Sequence, residues 1–171
     1  MTMVKAHALF ERRDFLKAAA AGTAGAMLAP ACTASRSEAA GPRTVTVLGL
    51  IDIAQALADA SLDNNVYWFD NNAAIGSTHL GTDHLETTLH NGDLIQWLIS
   101  GLEVETAADI AGIIGPATAI AHPVELELMP GMVFWAGQIV GQPKGLFPYS
   151  ITLKVENKLM TMNSTLALNV L

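Results

Sequence analysis

The amino-acid sequence predicts an all-β fold: an antiparallel β-sandwich of seven or eight strands with one short helix, after an N-terminal signal segment. Three observations carry that prediction. From Thr44 onward, short runs of β-branched, aliphatic and aromatic residues appear, several of them alternating with polar ones at the period of two that a half-buried strand requires. Turn residues part the runs, among them Asn91-Gly92 and Pro130-Gly131. The chain holds one cysteine, Cys32, so this domain has no internal disulfide and hydrophobic burial must hold it together.

The elements follow in order. Arg12-Arg13-Asp14-Phe15-Leu16-Lys17 resembles the twin-arginine export signal, departing from its usual pattern only where Glu11 replaces a hydroxyl residue. Ala18 to Ala29 then form a weakly apolar run, too short and too rich in Gly and Ala to span a bilayer stably. Ala29-Pro30-Ala31 offers a cleavage site, and Cys32 behind it offers a lipid-attachment position. Arg12, Arg13, Phe15, Leu16 and Lys17 are the residues such a signal would present to the twin-arginine translocation machinery. The resemblance implies a protein that crosses the membrane folded and works in the periplasm or outside the cell, held to a membrane only through a lipid on Cys32. The expected organisation is a signal at 1–32, a linker at 33–43 and a sandwich domain at 44–171.

Thr44 to Ile51, TVTVLGLI, reads as a buried first strand, and DIAQALADA after it as the short helix. Asn65 to Asp70, NVYWFD, is an aromatic second strand between Asn-rich turns. LETTLHNGDLIQWLIS is expected to be a hairpin, because Asn-Gly suits a two-residue type I′ turn with positive φ at both central residues. Its second arm is apolar on both faces and so belongs in the middle of a sheet. Thr106 to Ala121 is expected to be a long loop with a helical turn. PVELELMPG predicts a strand with Val124, Leu126 and Leu128 inward and Glu125 and Glu127 outward, turning at Pro130-Gly131 into MVFWAGQIV. YSITLKVENKLMTMN predicts a further hairpin, and STLALNVL the last strand.

Charge narrows the function. From Thr44 onward the chain carries thirteen acidic residues against Lys144, Lys154 and Lys158. No basic surface is available to displace counterions from phosphate, so nucleic acid is excluded as a partner, and so is electrostatic docking on anionic lipid. No serine elbow and no phosphate-cradling glycine loop is present, and the leading expectation is a non-enzymatic protein.

Two resemblances bear on the fold. LHNGDLIQW is similar to the Gly-Asp-x-[Ile/Val]-x-Trp segment of cupredoxin-like sandwiches, but a type 1 copper site needs a cysteine thiolate that this domain lacks, so blue-copper chemistry is excluded. VTVLGLID, NVYWFD, GDLIQW and YSITLKV together resemble the bacterial inclusion body protein family, the AidA/PixA-like proteins, which implies a β-sandwich and no particular reaction. Two candidate sites remain. His79, Asp83, His84 and Glu86 form the richest ligand-type cluster and could converge on a metal across a turn. His90 lies about 20 Å from His84 if the strand is extended, too far to share an ion. Trp68, Trp97 and Trp135 could line a ligand pocket, although tryptophans in strands are ordinarily core. Three functions stay open: an exported binding or accessory protein acting beside a larger exported partner, a metal-binding protein or enzyme using the histidine cluster, and a self-associating structural protein.

Overall fold

A computed structural model describes residues 41–103 and 107–171. The signal residues and Cys32 lie outside the described residues. Among the described residues ten strands form: β1 Thr44–Ile51, β2 Val66–Asp70, β3 Glu86–Leu89, β4 Leu94–Gly101, β5 Ala108–Ile114, β6 Val124–Met129, β7 Met132–Gln138, β8 Gly145–Val155, β9 Lys158–Thr161 and β10 Leu166–Val170. Two short helices join them, α1 Ile53–Asp59 and α2 Thr118–Ala121. The first sheet runs β2-β1-β4-β7-β6; the second runs β3-β10-β8-β5, with β9 paired to β8. The all-β sandwich is therefore present, and two pairings within it, β1 with β4 and β10 with β3, are parallel.

The core lies between the sheets because each strand turns one set of alternate residues inward. Val45, Val47 and Ile51 of β1, Ile95 and Trp97 of β4, Ile151, Leu153 and Val155 of β8, and Leu166, Leu168 and Val170 of β10 are all buried. Trp97 and Tyr149 meet edge to face at 6.1 Å and 74°, and the Trp97 indole N–H donates to the Tyr149 hydroxyl at 3.1 Å, joining one sheet to the other. Burial pushes the Tyr149 phenol well above its ordinary pKa. Gly49 faces Trp68 in register, and a Cβ there would stand 2.7 Å from the indole and 2.6 Å from Ile99, so only glycine lets the ring lie flat across β1.

Three expectations need correction. LETTLHNGDLIQWLIS is not a hairpin: β3 pairs with β10 in the second sheet, and β4 pairs with β1 and β7 in the first. Of the turn pair only Gly92 has positive φ, +89°, so the turn is not type I′. Asp93 makes the corner instead. Its carboxylate accepts from the Arg43 and His90 backbone N–H groups at 3.0 and 2.8 Å and from the Arg43 guanidinium at 3.3 Å. Local turn chemistry lost to two sheets that each offered a better partner.

Residues 108–114, expected as loop, form β5 against β8. The register shifts between Ile110 and Gly112, and that bulge breaks the alternation on which a strand is recognised in sequence. On β6 the faces are reversed. Glu125 and Glu127 stand opposite Trp135 and Val133 on the side facing the second sheet, and Val124 and Leu126 point outward. β6 is the edge strand, and Val124, Glu125, Leu126 and Glu127 are all exposed, so alternation alone could not say which set faces in.

Candidate functional site

The longest irregular connection among the described residues runs from β2 to β3, and it builds the site. It opens with a 3-10 turn at Ala73–Ile75 and then crosses from the first sheet to the second. Backbone bridges hold it at both ends: Trp68 pairs with Thr82, and Thr78 pairs with Glu86. Side chains complete the hold. The Thr82 hydroxyl donates to the His79 carbonyl at 2.7 Å and accepts from the His84 N–H at 3.1 Å. The Thr78 hydroxyl donates to Glu86 at 3.3 Å and lies 3.1 Å from His79 Nδ1. His79 itself takes a left-handed φ of 59°, which lets the chain reverse there.

This connection forms one wall of a cleft of about 860 Å³. Glu86, Ala167 and Pro148, which stand in register across β3, β10 and β8, form another wall. Tyr67 of β2 closes the side. All four residues of the expected cluster, His79, Asp83, His84 and Glu86, line this one cleft. The exposed His84 is paired through Nδ1 with the half-buried Asp83 beside it in the chain. The arrangement gives a cleft mouth with two carboxylates, two imidazoles and an aromatic ring over an apolar floor. Among the described residues no three His, Cys, Asp or Glu side chains stand together as a metal-binding group would require. His90 sits apart on the Arg43–Asp93 corner, with its Nδ1 2.8 Å from the Arg43 guanidinium.

The three tryptophans do not meet in one pocket. Trp68 and Trp97 are buried in the core. Trp135 stands opposite Trp97 on β7 and donates its indole N–H to the Ile110 carbonyl of the second sheet at 2.9 Å. It borders a separate, shallower hollow with Ile113, His122 and Val124. Reading the sequence for site residues missed Tyr67 and the Ala167–Pro148 floor. These are ordinary strand residues: the β3–β10–β8 pairing brings Ala167 and Pro148 beside the histidines, and the Trp68–Thr82 bridge brings Tyr67.

A signal-led chain whose body is a two-sheet sandwich with a cleft at one sheet edge defines an exported β-sandwich protein. Residues 10–29 match the twin-arginine translocation pathway signal sequence, which directs the protein out of the cytoplasm. Residues 43–161 match the family described as Domain of unknown function (DUF8788), and the chain belongs to that family. The crystal structure of inclusion body protein PixA from Burkholderia cenocepacia has a similar fold, with a TM-score of 0.56 at 14% identity over 77% of this chain and 98% of that one. None of the curated proteins matches the chain.

Proposed function

We propose that the protein is an exported, non-enzymatic binding module whose ligand lodges in the cleft beside β2. The observation that carries this reading is the convergence of His79, Asp83, His84 and Glu86 with Tyr67 on one cavity of about 860 Å³, within the size range of small-ligand sites. The connection that bears His79, Asp83 and His84 is braced by Thr78 and Thr82 through hydrogen bonds, one of them to Glu86, which supports a site formed before anything binds. Two carboxylates beside an aromatic ring suit a cationic group on an apolar stem, such as a lysine or arginine side chain of a partner. An accessory role beside a larger exported partner fits the same chemistry, with a basic segment of that partner as the occupant.

Titration of the exported, mature protein with a short arginine-containing peptide tests the reading. Saturable binding is expected, weakened by Glu86→Gln and by Asp83→Asn and reduced by salt. Titration with zinc or copper(II) alone is the counter-test. Stoichiometric metal uptake lost in a His79→Ala, His84→Ala double variant would replace this reading with a metal-handling one.

A further inference from the structure

Among the described residues, the outer face of the first sheet carries no charged side chain. The described positions of its five strands that point away from the core are aliphatic, aromatic or neutral polar. Phe69, Leu48 and Leu98 stand in register across β2, β1 and β4, and Phe134 and Leu126 stand in register across β7 and β6. Tyr67 and Val124 flank that row at opposite edges of the sheet. Tyr67, Phe69, Leu48, Leu126 and Val124 are between 37% and 54% exposed, so no described residue covers them. A half-exposed sheet in a lone domain ordinarily alternates apolar-in with polar-out. Here the outer face too is largely apolar, and it is uncharged.

We infer that this face is the contact between two copies of the protein, packed sheet on sheet. Three features select a second copy over another occupant. The first is charge: from Thr44 onward the chain has thirteen acidic and three basic residues, yet none of the acidic ones projects from this face. Two acidic bodies can approach with least repulsion through a neutral surface, whereas a basic partner would be drawn elsewhere. The second is self-complementarity. A two-fold contact places the same patch on both sides, and an uncharged, largely apolar sheet satisfies that condition without matched charges. The third is extent. Five strands at ~4.8 Å and about six residues at ~3.3 Å outline roughly 500 Å², which approaches the ~800 Å² per partner of a standard interface once surface relief is counted. The face is separate from the cleft except at Tyr67, which borders both.

The test is sedimentation equilibrium of the mature exported protein over a concentration series, at low and high salt. A monomer–dimer equilibrium that tightens with salt is expected, because salt screens the acidic bodies and leaves apolar contact intact. Leu48→Lys and Leu126→Lys should each weaken the dimer by at least about tenfold, as loss of one well-buried anchor would. Leu159→Lys, on β9 of the other sheet and 71% exposed, should behave as the unaltered protein. Should a lysine variant fail to fold, nuclear magnetic resonance of the unaltered protein on dilution gives the same answer through shifts confined to the β1, β2, β4, β6 and β7 amides. The inference is overturned by a monomer at all concentrations, by a dimer that Leu159→Lys breaks and Leu48→Lys does not, by dilution shifts that fall elsewhere, or by a monomer that binds zwitterionic vesicles through this face.

Discussion

Replacing Asp93 by alanine should unfasten the corner where the chain passes from the second sheet to the first. Asp93 is buried, and its two oxygens accept three donors: the Arg43 N–H at 3.0 Å, the His90 N–H at 2.8 Å and the Arg43 guanidinium at 3.3 Å. The guanidinium is partly exposed, so its ion pair contributes little. The two backbone donors matter more. A hydrogen bond to a charged group contributes about 1.5–3 kcal/mol, and both N–H groups are only part-buried, so water recovers some of the loss and about 2–4 kcal/mol remains. Unfolding entropy of ~2.1 cal/mol/K per residue over about 130 residues converts that to a fall in Tm of roughly 7–15 °C. Calorimetry at neutral pH reads it directly. Asp93→Asn keeps one acceptor oxygen and should lose about half as much, and Arg43→Ala, which keeps its own backbone N–H, should cost under about 1 kcal/mol. A Tm for Asp93→Ala within 2 °C of the unaltered protein, or an equal loss in Arg43→Ala, would refute the assignment of the corner to backbone capture.

Gly49→Ala places a Cβ 2.6 Å from Ile99 and 2.7 Å from Trp68, and overpacking of this kind should cost about 1–3 kcal/mol, visible as a lower urea midpoint at unchanged slope. Thr87 is fully buried and its hydroxyl has no hydrogen-bond partner among the described residues, so Thr87→Val should stabilise by roughly 0.5–1 kcal/mol; a lower Tm would show that the hydroxyl is satisfied after all. The Asp63 carboxyl is held below its usual pKa, chiefly by the Asn163 side-chain amide at 2.7 Å, with the Asn163 and Ser164 N–H groups adding to it. Its contribution is therefore complete above the unfolded value of about 3.9 and is lost as pH falls below it, so the Tm gap between the unaltered protein and Asp63→Asn should close under acid. A gap that persists at pH 2 would place its origin elsewhere.

Much of this protein is set by short-range pattern. The arginine pair before a soft apolar run marks export, because the translocation machinery reads a linear segment. β1, α1, β2, β4, β8, β9 and β10 lie where alternation and turn residues place them, since strand burial on one face leaves a period-two signature. The hairpin expected over YSITLKVENKLMTMN forms as β8–β9, with Glu156 at φ 53° in its turn. His79, Asp83, His84 and Glu86 lie within eight residues of one another in sequence, and all four line one cleft.

What pairs with what was decided by tertiary structure. Asn91-Gly92 would make a tight hairpin in isolation, but β3 and β4 bury their apolar faces from opposite sides of one core, and find partners 81 and 50 residues away in sequence. The inner face of β6 depends on how far the second sheet extends beneath it, which no local pattern encodes. The same holds for the cleft floor at Ala167 and Pro148 and for the uncharged outer sheet. Local sequence sets which residues alternate, whereas sheet order sets which alternating face meets another and which is left toward water, because burial is a property of neighbours brought together by the whole chain.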